Sequence, residues 1–310
     1  MIPPTVSLIA DDQPPEMRPA CVLVFNANDP SGAGGIAGDV TAIASVGAHA
    51  LPILTGAYAR DTAEIFDHFS LDEEAVAEQA RAVLEDVAVQ VIKVGFAGSP
   101  ENLSAIAGIA ADYADVPLVA YMPDLSWWDE VQIDLYLDAF KELILPQTTV
   151  LVGNHSTLWR WLLPDWTTER SPGARDLARA AHELGVPYTL VTGIPLPDQF
   201  IDNVLASPQA VLANEKFERF EAVFSGAGDT LSAALAALLA SSDDLSEAFT
   251  EALSYLDRCL AGGFRPGMGH VVPDRLFWAQ PEDDPDAEID QDSSSSSIST
   301  LELPPHDTKH

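Results

Sequence analysis

The chain has 310 residues, 47% of them hydrophobic, and a formal net charge of −33 at pH 7. That length holds one large domain or two small ones, with a substantial buried core. A chain this negative repels nucleic acid and anionic lipid surfaces, so neither is an expected partner.

Residues 1–19 scatter Pro3, Pro4, Pro14, Pro15 and Pro19 among polar residues and read as a flexible leader. Residues 20–279 read as the folded domain. Residues 280–310 are acidic, carry the serine run from Ser293 to Ser297, and lack the apolar content that would offset the entropy of ordering. A disordered tail is expected there. Cys21 and Cys259 share no ligand spacing with the seven histidines, so they are expected to be buried thiols in a reducing cytoplasm. No stretch reaches the about 18–20 uninterrupted apolar residues of a membrane span. The N-terminus lacks a basic flank leading into an apolar signal core, and a cytoplasmic protein is expected.

Within the domain, short apolar runs alternate with helical patterns. Cys21 to Ala27 is an expected strand and Gly35 to Val46 a helix. Leu51 to Ala59 follows as a strand, then Asp72 to Val87 as a helix with Val76, Ala80, Val83 and Val87 on one face. Val89 to Val94 is a strand. Pro100 to Tyr113 is a helix with Ser99 as its N-cap. Strands are expected at Pro117 to Tyr121, Thr149 to Val152 and Tyr188 to Thr192, and helices at Glu130 to Leu145 and Ala174 to Leu184. Phe200 to Ala206 and Gln209 to Phe217 suggest an edge hairpin. Continuous apolar strands alternating with helices predict an α/β fold, a mostly parallel sheet covered on both faces. No internal repeat and no inserted lid domain is visible.

Two glycine-rich segments stand at the ends of expected strands, where such sheets bind ligands. In the second, Gly226, Ala227 and Gly228 precede Asp229 and open an Ala/Leu-rich helix. Glycines let a ligand approach the backbone, and the free amides of a helix N-terminus attract an anion. A carboxylate beside that anion hole can take a proton from a hydroxyl attacking a phosphate. The chemistry this points to is phosphoryl transfer, with Asp229 as base; the plain alternative is a helix-capping carboxylate. The first segment runs from Asp29 through Gly32 to Asp39.

The second segment resembles the signature of ribokinase-like kinases, whose GAGD aspartate is the base. The first resembles the "DPSGGAGIQAD" segment of hydroxymethylpyrimidine/phosphomethylpyrimidine kinases. The resemblance covers roughly residues 20 to 278 and implies a three-layer αβα sandwich, ATP and Mg²⁺ as requirements, a small heteroaromatic acceptor and a homodimer. It places Asp29, Gly32 and Asp39 beside the substrate, with Asp39 anchoring the ring. Residues 54 to 62 resemble "ITALxAQNT", with Arg60 where a substrate-contacting glutamine stands. Arg60 either selects an anionic acceptor or turns outward. Phe96 stands where a substrate-packing methionine is usual, and either stacks on the ring or joins the core. Asn154, Thr192 and Gly193 align with the nucleotide-phosphate region.

Four departures accompany the resemblance. Asp229 replaces the usual cysteine of that family, Thr192 a phosphate-contacting lysine and Thr157 a glutamate. Tyr121 replaces an aspartate, for which the nearby Asp124 could substitute as metal ligand. Residues 267 to 273, around His270, resemble the family's terminal "GHGxGPV" and also read as a turn that closes the domain. The expected function is ATP-dependent phosphorylation of the hydroxymethyl group, or of its monophosphate, of 4-amino-5-hydroxymethyl-2-methylpyrimidine in thiamine synthesis. Alternatives are a pyridoxal kinase, which GAGD favours, and a catalytically impaired ligand-binding paralogue, which the departures favour.

Overall fold

The computed structural model describes residues 18–242 and 244–279. Of the expected leader only Arg18 and Pro19 are described; the expected tail lies outside the described residues. The chain divides after Phe277, and the unit before that point holds the whole sheet and the helices that cover it.

The expected strands form as β1 (Cys21–Asn28), β2 (His49–Arg60), β4 (Val91–Val94), β5 (Leu118–Met122), β6 (Val150–Asn154) and β7 (Tyr188–Pro195). The expected hairpin forms as β8 (Phe200–Ala206) and β9 (Val211–Glu218), and one unexpected strand, β3 (Ile65–Ser70), pairs antiparallel with β2. Among the described residues they make one sheet in the order β3-β2-β1-β4-β5-β6-β7-β8-β9. From β2 to β7 every neighbouring pair is parallel.

Because side chains alternate across a strand, β1 feeds two cores. Val22 and Val24 pack under α1 (Gly35–Ser45), α7 (Ala227–Ser241) and α8 (Leu245–Ala261), against Ile43, Leu231 and Phe249. Leu23 and Phe25 face α2 (Glu73–Leu84), α3 (Pro100–Asp112), α4 (Glu130–Ala139), α5 (His155–Leu162) and α6 (Ala174–Glu183), represented by Val76, Leu103, Tyr136, Leu158 and Leu177. The result is the three-layer αβα sandwich. In α7 the run of Ala233, Ala234, Ala236 and Ala237 is fully buried, and small side chains let this helix lie directly over β1, β4, β5 and β6.

Several boundaries depart from expectation for local reasons. The helix expected to reach Leu145 is α-helical only to Ala139. It widens to π geometry over Phe140–Ile144 and ends in a 3₁₀ turn, Leu145–Gln147, that contains Pro146. Ser99 caps α3 as expected, its hydroxyl accepting from Asn102 N. Cys259 is buried, and burial pushes its thiol up to about 11. Cys21, expected to be buried, is partly exposed because it opens β1. No helix among the described residues is long and apolar enough to cross a membrane.

Candidate active site

Strand order reverses between β1 and β4, the place where an open parallel sheet leaves a crevice at its C-terminal edge. There the two glycine segments meet. Gly226 has φ +85 and precedes α7, and a side chain on it would overlap Ala33 O. A Cβ on Gly34 would lie 2.5 Å from Asp229 Oδ2. Gly35 N donates to Asp229 Oδ2 at 3.2 Å, so residues 194 positions apart share one hydrogen bond.

Arg275 ties this junction together. It is 6% exposed; its Nε donates to Thr230 Oγ1 of α7 at 2.9 Å, Nη1 to Gly32 O at 3.2 Å and Nη2 to Ala33 O. Gly32 is thereby a structural part of the turn, with its carbonyl directed at Arg275 rather than at the cleft. Asp29 holds the same turn from within, accepting from Ser31 N and Oγ and from Gly34 N.

Behind Asp229 lies a buried ionic network. Lys93 is wholly buried on β4, with Nζ 2.6 Å from Asp39 Oδ1 and 3.5 Å from Asp229 Oδ1. Asn26 Nδ2 donates to Asp39 Oδ2 at 2.8 Å and to Asp229 Oδ1 at 2.9 Å, while its Oδ1 accepts from Ala27 N and Phe96 N. Asp39, expected to anchor the substrate, is fully buried and lies beneath the cleft, not on its surface. Its hydrogen-bonded side-chain partners are Lys93 and Asn26.

The cleft above Asp229 has a volume of about 590 Å³. Asp29, Arg60, Asp124, Gly226 and Asp229 line it, joined by Tyr58 and Trp127, whose rings meet edge to face at 5.8 Å. Arg60 does not turn outward: Nη1 pairs with Asp29 Oδ2 at 3.1 Å, and Nη2 lies 3.4 Å from Ser225 Oγ. Ser225 Oγ also lies 3.0 Å from His270 Nδ1, which brings the closing turn into the cleft wall. Phe96 is 2% exposed and belongs to the core, stacked beneath Tyr58 at 5.4 Å. The aromatic surface offered to a ligand is therefore Tyr58 and Trp127, not Phe96.

Ala227 and Gly228 stand in the first turn of α7, where amides have no intrahelical acceptor. A methyl at Gly228 would run into the Tyr121 ring, so Tyr121 packs against this turn. Burial, then the charge of Asp229, pushes the Tyr121 phenol up, and it stays neutral.

A second cavity, of about 500 Å³, is lined by Asn154, Gly193, Phe200, Arg219, Phe220 and Phe224. Phe224 also lines the first cleft, so the two share a wall. Asn154 caps α5, accepting from Ser156 N at 3.0 Å. Thr192 Oγ1 lies 3.4 Å from Gly153 O and is absent from the cavity lining, while Thr157 is buried in α5. Asp124 is half exposed on the rim of the first cleft, where Oδ1 accepts from Ser126 N and pairs with Arg160. Magnesium is usually held by one or two carboxylates plus substrate phosphates. One rim carboxylate, that of Asp124, beside a cleft roomy enough for a phosphate-bearing ligand fits that demand.

Lys93, Asn26, Arg275, Ser225 and Trp127 form part of this site without a sequence signal that assigned them a role. The flanking motifs pointed near them: Lys93 is three residues before Phe96, and Ser225 immediately precedes Gly226.

Residues 29–274 match the phosphomethylpyrimidine kinase family. The chain is 28% identical over 275 residues to the hydroxymethylpyrimidine/phosphomethylpyrimidine kinase of Mycobacterium tuberculosis, covering 85% of this chain and 96% of that one. A pyridoxal kinase from Bacillus subtilis, solved as an ADP complex, superposes with a TM-score of 0.75 at 20% identity, covering 84% and 99%. The phosphomethylpyrimidine kinase of Clostridium difficile gives 0.63 at 20% identity, covering 78% and 99%. With the match spanning both glycine segments and the residues between them, the chain belongs to the phosphomethylpyrimidine kinase family.

Proposed function

We propose that this chain is an ATP-dependent kinase acting on the hydroxymethyl group, or its monophosphate, of 4-amino-5-hydroxymethyl-2-methylpyrimidine. One observation carries the reading. Asp229 Oδ2 is held by Gly35 N at the floor of a cleft, beside the free first-turn amides of α7. A base and an anion hole thus face one place, which is the requirement of in-line phosphoryl transfer.

In that reading the acceptor ring lies against Tyr58 and Trp127, and the nucleotide occupies the adjoining cavity beyond Phe224. The acceptor hydroxyl attacks the γ-phosphorus and gives its proton to Asp229 Oδ2. The bond from that phosphorus to the β–γ bridging oxygen breaks, and ADP leaves. When the acceptor is already a monophosphate, one of its oxygens attacks instead, and the Arg60 guanidinium is the nearby cation that favours an anionic group. Asp124 would hold Mg²⁺, which when bound neutralises phosphate charge. A homodimer, as kinship implies, and a cytoplasmic location complete the reading.

The test is ADP release in a coupled assay with the pyrimidine alcohol, its monophosphate and pyridoxal offered side by side. Turnover is expected with the two pyrimidines, and Asp229→Ala should lower kcat about 10²–10⁴-fold with folding intact. Faster turnover of pyridoxal would reassign the acceptor. Ligand binding without ADP release from any of the three would identify an impaired paralogue, for which Thr192 and the packing of Tyr121 on Gly228 would then account.

A further inference from the structure

We propose that Lys93 is the positioning residue of the transfer step, the buried cation that pairs with the Asp229 carboxylate and aims it beside a second buried acid. The inference rests on the kinase reading and adds to it a residue that never touches substrate. Three observations support it. Lys93 is wholly buried, yet its ammonium reaches both Asp39 Oδ1 and Asp229 Oδ1. Asn26 bridges the same two carboxylates from the other side, using both amide hydrogens. Asp229 Oδ1 is thereby occupied twice, whereas Oδ2, which Gly35 N holds, faces Gly34 and the cleft.

The charge balance explains why a cation is needed. Two carboxylates sharing partners in a site of low polarity cannot both stay ionised unaided, because each disfavours the charge of the other. Other groups facing Asp229 do not supply the compensation. Tyr58 from β2 and Tyr121 from β5 are neutral phenols, pushed up first by burial and then by Asp229 itself. Arg275 lies close enough to feel both acids, but its hydrogen bonds go to Thr230, Gly32 and Ala33. Arg60, on the cleft wall, is paired with Asp29. Among the described residues Lys93 alone bonds Asp229 with a positive charge. It also fixes direction: with Oδ1 tied down, the lone pairs of Oδ2 are those presented to an incoming hydroxyl.

The geometry therefore divides two tasks between two acids. Asp229 accepts the proton. Asp39 holds the ammonium in place from beneath, in a direct ion pair that the cleft never reaches.

The experiment is the pH dependence of kcat in Lys93→Met and Asp39→Asn beside the parent chain. Lys93→Met should lose about 10²-fold in kcat at neutral pH. Its acid limb should move up by about one pH unit or more, so that activity partly returns in alkali. Asp39→Asn, which leaves the ammonium to Asp229 alone, should move the limb the opposite way. Should Lys93→Met fail to fold, the Asp39→Asn limb decides the matter by itself. Losses equal at every pH, or a limb unmoved in Asp39→Asn, would reduce Lys93 to a structural ion pair and overturn the proposal. A parent chain that releases no ADP overturns the kinase reading and this inference together; a working parent with unmoved limbs overturns only the inference.

Discussion

Burial pushes the Asp39 carboxyl up to about 6, although the neighbouring Lys93 ammonium pulls it back. The sign of the consequence follows from proton binding. Above about 6 the group is charged in both folded and unfolded chains, and the folded chain carries the full cost of burying it. As pH falls from about 6 toward the ordinary aspartate value, the folded state takes the proton first, so the contribution of Asp39 to stability rises. The stability of the parent chain relative to Asp39→Asn should therefore increase between pH 7 and pH 5 in matched thermal melts. A difference independent of pH, or one that shrinks, would count against the raised carboxyl. The resemblance made Asp39 visible and set it beside the substrate, whereas on α1 its side chain is fully buried among partners from β1 and β4. Lys93 was visible as the first residue of the Lys93-Val94-Gly95-Phe96 segment, which resembles the family's KIGM, but its pairing was not legible. It sits inside the apolar run Val91–Val94, where a charged side chain is seldom fully buried unless paired, and its partners lie on other elements. The placement of Asp229 in the first turn of α7 was legible because its glycines and its helix are adjacent in sequence, so local rules were sufficient.

Elements were legible where periodicity is strong and self-contained. Strands β1, β2 and β4 to β7 follow from continuous apolar runs and the cap of α3 from Ser99, while Asp72, expected as the first helical residue, is the N-cap of α2. β3 was not, since an edge strand with Phe66 and Phe69 largely exposed has no alternating buried face to announce it. α8 carried a usable signal that was passed over: Asp244 caps it, and Ala248, Phe249, Ala252 and Leu253 recur on its buried face. The joint between elements is where Arg275 acts, clamping the turn that ends in Gly35 to the start of α7 through two carbonyls and Thr230 Oγ1. Removing a buried charged donor leaves those acceptors without partners, at about 1–3 kcal/mol for each group exposed to that loss. Arg275→Met should lower the urea midpoint by an amount equivalent to about 3 kcal/mol. It should also depress kcat, since the anion hole and Gly35 would no longer be held in register. A variant with parental stability would show that the clamp is dispensable.

Over the whole molecule the dominant quantity is the charge of −33, and the nucleotide substrate of a kinase is an anion. Long-range repulsion opposes the approach of ATP, while the cavity wall near Phe224 gathers Arg219 and, one cavity further, Arg265 and His270. Which field governs binding is a question of range. At about 10 mM salt the Debye length is about 30 Å and the net charge of the chain reaches an incoming nucleotide; at about 150 mM it is about 8 Å and only the local arginines do. Raising salt across that interval should therefore tighten ATP binding several-fold, the reverse of the usual weakening between an anion and a cationic site. Calorimetric titration of MgATP at the two ionic strengths measures this directly. If affinity falls instead, the arginines outweigh the remainder of the surface even at long range, and the site creates its own positive field within an acidic protein. The expected rise in affinity constrains the mechanism, because a nucleotide that binds against net repulsion must be held by short-range contacts. In the proposed reading those are the first-turn amides of α7 and an accompanying Mg²⁺, both of which would act inside a Debye length at any physiological salt.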